Sequence, residues 1–561
     1  MFMKEEVVRV LESIGIKTDI GKIEIPENEN FGDYAFPCFD LAKIENKNPV
    51  DLAKEIVKKI QVAKFPLLVK VEARGGYVNF FLYWEEIAER VLKSIFLSKT
   101  DFGKGKRVMI EYSQPNPVHP MHIGHSRGTF LGGSLANIYE YLGYKVIRAN
   151  YMNNIGLQVA KLVTAYIMWA NKKRPKGKPD VWLWELYVKF HEEMKNNPVL
   201  EDAARENLRL FEVDKNKEIV KIWNRVVKWC VKGFIETYRK VGVKFDVYFY
   251  EHDYRELGKN IVYDALRKKI AFKSPENTIV TDFRNSDIPN TVLLRSDGTG
   301  IYLTSDLGLT VHKFEKYKLD KSIWAVSSQQ NLHFQQLFKI LGLLGYPWIE
   351  KCFHFSFEHV NLPEGKMSAR EGRAVMLDEV LDKLTKLAYD EVNKRNPKLP
   401  RYKKLKIARQ IGVGALKYAI VRIEPENAIT FDWKQMLNFE GNTGPYIQYA
   451  HTRCVGILKK VKNFKPNFRT TKMNEHEKNL VKEIMRFNTV VRNSLNDTKP
   501  HYICNYVYDL VTTFNLFYEK VPVLKTEDVS VRNFRLTLVD ATREVLKTCL
   551  NLIGMETPEK M

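Results

Sequence analysis

The period of the apolar positions changes several times along the chain, and those changes divide it before any single residue is considered. Residues 1 to about 100 mix short helical and alternating stretches. They end in Gly75-Gly76-Tyr77-Val78-Asn79-Phe80-Phe81-Leu82, a turn followed by a strand-like run. A charged linker over 99–106 carries Gly103 and Gly105 and marks a boundary. Residues 107–111 form a short apolar run that predicts a strand. Residues 123–142 place apolar side chains at helical spacing, Gly143 stops them, and 144–147 resume as strand. The loop from Tyr112 to Pro120 contains Pro115, Pro117 and Pro120, which forbid regular pairing and stiffen the approach to the helix.

From about 160 to 270 the chain is charged, helical and rich in Trp and Lys. This stretch interrupts the alternation and reads as an insertion between two halves of a parallel sheet. The second half resumes with a strand over 322–326, a helix over 331–344 and a strand over 353–360. From about 380 onward the pattern is almost wholly helical. The expected fold is α/β. A Rossmann-type parallel-sheet catalytic domain covers 101–375, with a helical insertion over about 160–270. It is flanked by a small α+β N-terminal domain over 1–100, a helical connecting segment over 376–430 and an all-α C-terminal domain over 431–561.

Composition adds a partner class. Lys and Arg number 89 against 67 Asp and Glu, a net charge of +22. That excess favours a polyanion, because neutralising phosphates releases condensed counterions. Charge alone does not choose between DNA, RNA and an anionic membrane. No run of 18 apolar residues occurs, and the opening Met1-Phe2-Met3-Lys4-Glu5-Glu6 lacks the uninterrupted apolar stretch of a secretory signal. The expectation is therefore a cytoplasmic protein with no membrane span. Six scattered cysteines show no metal-ligand spacing, so they read as reduced thiols and no structural metal is expected.

Two short motifs carry the chemistry. His122-Ile123-Gly124-His125 falls where the first loop enters a helix, and a helix N-terminus offers free N–H groups and partial positive charge to a phosphate. Gly124 permits close approach, and two imidazoles on one turn can donate to phosphoryl oxygens. The second motif is Glu364-Gly365-Lys366-Met367-Ser368-Ala369-Arg370-Glu371-Gly372, a loop after a predicted strand. Lys366 suits a departing pyrophosphate, while Ser368 and Arg370 can hold further oxygens. Either motif alone is matched by a capped helix or a solvated basic turn. Together they fall at strand ends of one predicted sheet, where open α/β folds bind ligands.

These residues resemble the two nucleotide motifs of class I aminoacyl-tRNA synthetases, usually written HIGH and KMSKS, although Ala369 stands where the second lysine is usual. The chain further resembles the arginyl-tRNA synthetase family. The likeness lies in Ile110-Glu111-Tyr112-Ser113-Gln114-Pro115-Asn116-Pro117, Tyr302-Leu303-Thr304-Ser305-Asp306-Leu307 and Ser328-Gln329-Gln330-Asn331. It continues in the stretch from Phe439 to Arg453.

The resemblance implies ATP with Mg²⁺ as co-substrate, L-arginine and tRNA(Arg) as partners, and a monomer. It implies ATP contacts from Pro120, His122, Gly124, His125, Lys366, Met367, Ser368 and Arg370, with His122, His125 and Lys366 catalytic. Glu111, Asp306 and Tyr302 would surround the guanidinium. Asn116, Gln330 and His122 would hold the rest of the amino acid. On the tRNA side it implies Tyr77 and Asn79 against the D-loop. Tyr446 and Tyr449 would stack on anticodon bases, with Phe514, Asn515, Tyr518 and Met561 as further candidates.

The chemistry of the ligand agrees with this. A planar, five-donor cation needs fixed carboxylates and a hydroxyl, and lysine would leave acceptors unpaired at a cost of roughly 1–3 kcal/mol each. Rival readings are a synthetase for lysine or glutamate, a non-catalytic tRNA-binding paralogue, and an RNA helicase. The Tyr302/Asp306 pair, the retained His122, His125 and Lys366, and the lack of a G-x-x-x-x-G-K-[ST] loop argue against them in turn.

Overall fold

The computed structural model describes residues 2–97, 101–284, 286–361, 375–430, 438, 440–461, 464–470 and 472–561. The chain folds as two compact units. One comprises Met1–Lys99, Ala450–Val491 and Tyr506–Lys547, and the other Thr100–Tyr449, Arg492–Asn505 and Thr548–Met561.

The first unit contains α1 (Phe2–Glu12), β1 (Tyr34–Pro37), α2 (Phe39–Glu45), α3 (Pro49–Lys59), β2 (Leu68–Arg74), β3 (Tyr77–Leu82) and α4 (Trp84–Leu97). β3 lies between β1 and β2 and is antiparallel to both. Gly75 and Gly76 close the β2–β3 hairpin with φ of 57° and 85°, a left-handed geometry that carries no Cβ penalty at glycine. The late helices are Glu475–Asn496, His501–Lys520 and Val529–Leu552.

The second unit is built on a parallel sheet. It contains β4 (Arg107–Glu111), α5 (Ile123–Tyr141), β5 (Lys145–Met152), α6 (Leu157–Ala170), α7 (Pro179–Asn196), α8 (Val199–Glu212), α9 (Lys217–Lys240) and β6 (Val247–Tyr250). There follow α10 (Arg255–Arg267), the antiparallel strands β7 (Ala271–Lys273), β8 (Ile279–Thr281) and β9 (Val292–Leu294), and α11 (Tyr302–Tyr317). Then come β10 (Lys321–Ser327), α12 (Asn331–Leu343), β11 (Cys352–Phe357), β12 (Val360–Asn361), α13 (Leu377–Arg395), α14 (Arg401–Val421) and β13 (Ile429–Thr430).

The central sheet has the order β11-β10-β4-β5-β6, with every neighbouring pair parallel. Crossover helices cover both faces of such a sheet, so its middle strand is buried almost throughout. In β4 only Arg107 is exposed. On one face Met109, Ala149, Phe249 and Trp324 pack with Leu303, Leu307, Leu337 and Ile340 from α11 and α12. The opposite face carries α5, against which α13 and α14 pack.

Three features differ from the pattern reading. β5 continues to Met152, past the strand expected to end at 147. β6 lies inside the stretch read as helical insertion, yet it completes the central sheet. Its four residues Val247-Tyr248-Phe249-Tyr250 are too few to show a period of their own, and only the pairing with β5 identifies them. The strand expected over 353–360 ends at Phe357, and Val360 begins a separate pair with β13.

Two tertiary contacts hold α5 in place. A Cβ on Gly132 would sit 2.3 Å from Tyr112 Cβ, so glycine lets this helix lie directly on the end of β4. Arg127 is fully buried and donates to the carbonyl oxygens of Ile420 (2.5 Å), Ile423 (3.2 Å), Glu424 (2.8 Å), Pro425 (3.4 Å) and Asn427 (3.1 Å). It thereby satisfies carbonyls that the C-terminus of α14 leaves without intrahelical partners. We expect Gly132→Val to destabilise the protein by about 1–3 kcal/mol through overpacking, read as a lower urea midpoint. An unaltered midpoint would show that the helix can move off the strand at no cost.

Candidate active site

α5 begins at His122, whose backbone is extended (φ −101°, ψ 170°) and whose Nδ1 accepts from Gly124 N at 3.1 Å. His125 Nδ1 in turn accepts from His122 N at 3.1 Å, so two imidazoles form a reciprocal cap. A neutral imidazole carries one proton. With both Nδ1 lone pairs facing amide donors, both rings are Nε2–H tautomers. Burial, with His119 adding to it, pushes the His122 imidazole down to about 3, and burial likewise carries His125 well below the ordinary range. Both rings are neutral donors at physiological pH.

His119 was not singled out from the sequence. Its ring lies 5.5 Å from that of His122 and 5.6 Å from that of His125. The three have nitrogen atoms within 4.8 Å of one another, a grouping that could hold a metal ion. The tautomers oppose that use. A metal at Nε2 of His122 or His125 would displace the one proton the neutral ring keeps, or require the cap to break. His119 has the opposite tautomer, because its Nδ1 sits 3.0 Å from the Pro120 carbonyl and must donate.

A cavity of about 450 Å³ opens in front of the two capping histidines. Ser113, Gln114, Gly124, Gly128, Ser327, Gln329, Val360 and Asn361 help to line it. Ser113 (φ 77°) and Gln114 (φ 44°) are consecutive non-glycine residues in the left-handed region, a strained turn directly after β4. Lys366, Met367, Ser368 and Arg370 lie outside the described residues, but both ends of that segment are placed. Asn361 lines the cavity, and Ile123 N donates to Val375 O while Leu377 N donates to Met121 O, both at 2.9 Å. The described residues on either side of that segment therefore both lie beside the first motif.

Beside this cavity lies a cluster of acidic groups, reached from Gln114 through Glu111. α11 carries both Tyr302 and Asp306, one turn apart. Asp306 Oδ2 is 2.6 Å from His333 Nε2. Tyr151 lies nearby, half-buried but with its hydroxyl shielded from solvent. Burial, then Asp306, Glu251 and Glu111 in that order, push its phenol upward. Glu251 is also buried and receives Arg255 Nη2 at 2.7 Å. Burial, then Asp306, drives its carboxyl upward, against a hydrogen bond from Ser305.

Glu111, expected at the guanidinium, is instead committed within the protein. Lys313 Nζ lies 2.5 Å from its Oε2, and Gln114 Nε2 donates to Oε1 at 2.7 Å. The lysine is fully buried on α11, where the sequence offered no reason to pair it with a residue about 200 positions away. Asn116 has a buried Oδ1 with no hydrogen-bond partner among the described residues. Tyr302 is 55% exposed and stands at the rim of a second cavity of about 500 Å³, together with Arg255 and Arg295. Gln330 is exposed at the start of α12. Pro120 is buried.

The residues suggested for RNA contact divide. Tyr446 and Tyr449 are half-buried, three apart on the helix Gly444–Leu458. Tyr518 is 38% exposed with the Arg453 guanidinium 5.4 Å over its ring, and Asn515 Oδ1 accepts from Arg453 Nη1 at 2.6 Å. Phe514 is fully buried and Asn79 nearly so, which puts neither within reach of a base. Their strand and helix positions are core positions. Tyr77 stacks edge-on against Phe39. Met561 packs against Ala388, Val392, Ala408 and Ile411.

A doubly covered parallel sheet with a histidine-capped cavity at its carboxyl edge, an acidic cluster beside it and an appended helical region is the architecture of a class I aminoacyl-tRNA synthetase. Comparison with known proteins resolves the family. The family described as tRNA synthetases class I (R), catalytic domain, matches residues 88–433; the DALR anticodon binding domain matches 447–561; the arginyl tRNA synthetase N terminal domain matches 1–82. The chain is 36% identical to an arginine–tRNA ligase of Clostridioides difficile over 96% of its own length and 95% of the relative's. It is 35% identical to that of Clostridium acetobutylicum, over 96% of each. The arginyl-tRNA synthetase of Thermus thermophilus superposes with a TM-score of 0.81 at 26% identity, covering 100% of this chain and 99% of the other. The chain belongs to the arginyl-tRNA synthetases, enzymes that activate arginine with ATP and transfer it to tRNA. No helix among the described residues is long and apolar enough to cross a membrane.

The buried imidazoles have a consequence for stability. Unfolded histidine takes up a proton near pH 6.5, whereas folded His122 resists protonation down to about 3. Between those values the unfolded chain binds more protons, so stability falls as pH falls, by up to about 1.4 kcal/mol per pH unit for each such group. We expect the double variant His122→Asn/His125→Gln, which keeps acceptors at both cap positions, to show a shallower loss of urea stability from pH 6.5 to 4 than the parent. Parallel curves would mean that the two rings are protonated in the fold.

Proposed function

We propose that the cavity before α5 takes ATP and that the α-phosphate meets the arginine carboxylate where this cavity adjoins the acidic pocket. In-line attack then gives arginyl-adenylate and pyrophosphate, and a ribose hydroxyl at the tRNA 3′ end takes the arginyl group. Such phosphoryl chemistry depends on positioning and charge neutralisation rather than on a protein nucleophile. The observation that carries this reading is the pair of capping histidines. With Nδ1 fixed on backbone amides, His122 and His125 present Nε2–H to the cavity as preorganised donors that need no reorganisation when charge builds on the phosphate. Gly124 and Pro120 shape the approach. Lys366 is assigned to the leaving pyrophosphate, with Met367, Ser368 and Arg370 beside it, supported by the return of both flanks of that segment to the same cavity.

Mg²⁺ fits this cavity only as part of the nucleotide. The described lining offers side-chain oxygens of Ser113, Gln114, Ser327, Gln329 and Asn361 but no carboxylate, so phosphate oxygens would complete the shell of a cation that seeks oxygen ligands.

For arginine, Asp306 is the carboxylate we assign to the guanidinium, with Tyr302 closing over it. Tyr151 and Glu251 form the floor of the pocket. Glu111 can join only if Lys313 parts from it, since the existing pair neutralises its charge. The unpaired Asn116 Oδ1 is an acceptor for the substrate ammonium, and Gln330 stands on the carboxylate side. Tyr446 and Tyr449 are the proposed anticodon-stacking rings, Tyr518 with Arg453 is a second contact, and Tyr77 faces the D-loop. The protein is proposed to act as a cytoplasmic monomer.

ATP–pyrophosphate exchange across the amino acids, with and without total tRNA, tests the substrate assignment. Exchange should appear for arginine alone and only when tRNA is present, and exchange with lysine or glutamate would refute it. In the same assay His125→Ala should lower turnover at least about tenfold with little change in tRNA affinity. A normal rate would remove that imidazole from the mechanism. Tyr449→Ala should raise the tRNA KM while leaving adenylate formation at saturating tRNA intact, and an unmoved KM contradicts the stacking role.

A further inference from the structure

The base of the helical insertion is fastened by a buried ionic cluster. Lys178, the residue before α7, is 16% exposed and donates from Nζ to Asp180 Oδ2 at 2.9 Å, Thr237 Oγ1 at 2.7 Å and Asp378 Oδ2 at 2.6 Å. An ammonium group has three donors, so this one is fully used. Thr237, in the last turn of α9, donates its own hydroxyl to Asp378 Oδ2 at 3.1 Å. Lys240, at the end of α9, places Nζ 2.8 Å from Asp378 Oδ1. Gly233 has no room for a Cβ against Asp180, so α9 lies directly on the start of α7. The start of α7 and the end of α9 therefore meet on a carboxylate of α13.

Burial works against a charge on Asp378, yet Lys178 and then Lys240 hold its carboxyl below the usual carboxylate range. Taking such ions out of water is costly, and apolar side chains of similar volume would avoid it. What the cluster supplies is a fixed position. Asp378 is the second residue of α13, where an acid ordinarily faces the free N–H groups of its own first turn. Here both of its oxygens face lysines from other elements.

The residues just before Asp378 pair with the entry to α5. Ile123 N donates to Val375 O and Leu377 N to Met121 O, and His122 stands opposite Met376 in this antiparallel bridge. His122 is also the residue whose ring caps α5 and whose amide donates to His125 Nδ1. A displacement of the start of α13 would thus carry the backbone that sets both imidazoles.

We infer that Asp378 is a positioning residue for adenylate formation. Held by Lys178 and Lys240, it fixes the start of α13 and, through the pairing of 121–123 with 375–377, the two ring donors of α5. The base of the insertion thereby sets the geometry of the cavity before α5, although no described residue of the insertion lines it. The inference rests on the donor role proposed for His122 and His125.

The test is arginine-dependent ATP–pyrophosphate exchange by the full chain at saturating total tRNA. The variants are Asp378→Asn, His122→Asn/His125→Gln, and the three substitutions together. Asparagine keeps the shape and one acceptor but removes the charge that the lysines hold. We expect Asp378→Asn alone to lower kcat about tenfold or more with the arginine and ATP KM within about twofold, since misplaced donors lose rate rather than ground-state binding. In the background lacking both rings, the same substitution should lower kcat by less than about twofold, because its effect passes through those rings. An unchanged kcat, or equal factors in the two backgrounds, would overturn the proposal. Should Asp378→Asn fail to fold, Lys240→Gln takes its place. We expect it to lower kcat about threefold with the same dependence on the rings, and a loss equal in both backgrounds would again overturn the proposal. If the variant without rings exchanges at the normal rate, the donor reading fails. The ring signals of isotope-labelled histidines then decide the positioning by themselves. Displaced His122 and His125 signals in Asp378→Asn support it, and unmoved ones overturn it.

Discussion

The catalytic unit depends on one buried cation. Arg127 sits on α5 two residues past the histidine motif and spreads its guanidinium over five backbone carbonyls at and beyond the end of α14. Burial lowers it only to about 10, so it stays charged at neutral pH and opposes the negative end of that helix. The segment it grips leads directly into β13, which pairs with β12, the strand that lines the cavity before α5. The same side chain thus ties the first nucleotide motif, the strand leading to the second and a long C-terminal helix into one rigid body. Few other residue types could serve, because only a planar fork with five donors can satisfy so many carbonyls at once.

Around that frame the charged groups are arranged along the carboxyl edge of the sheet. Neutral imidazole donors face the cavity over β4 and β10, while carboxyls and phenols cluster over β4, β5 and β6. The two regions carry complementary chemistry because their ligands do. N–H donors suit the polyphosphate proposed for the first region, and acids suit the guanidinium proposed for the second. Lys313 neutralises Glu111 inside the core and keeps the acidic pocket from accumulating more negative charge than its burial would tolerate.

Much of this was readable beforehand. The β4-α5-β5 unit, the α12 helix and the helical C-terminal half follow from periodicity, and His122 and His125 stood out because a histidine pair at a predicted helix start is uncommon. Tyr302 and Asp306 came from the family resemblance, with a four-residue spacing that suits one face of a helix. β6 and β13 were not legible, since strands of four and two residues have no period to detect. Tyr151, Glu251 and His119 were also passed over. None belongs to a local motif, and each acquires its surroundings from segments far away in the chain. Glu111 shows the converse. Its position at a strand end was read correctly, but its partner was not, because the partner lies on a helix about 200 residues later.

By itself the chain determined its local elements, the positions of its two nucleotide motifs and the sign of its charge. These depend on near neighbours, on backbone geometry and on composition. Only the tertiary structure decided which nitrogen of each capping histidine bears the proton, which acid remains open to a cationic ligand, and which cations are left without partners. Those properties are set by distances between residues remote in sequence, and by a burial that removes water from some charges while leaving it to others.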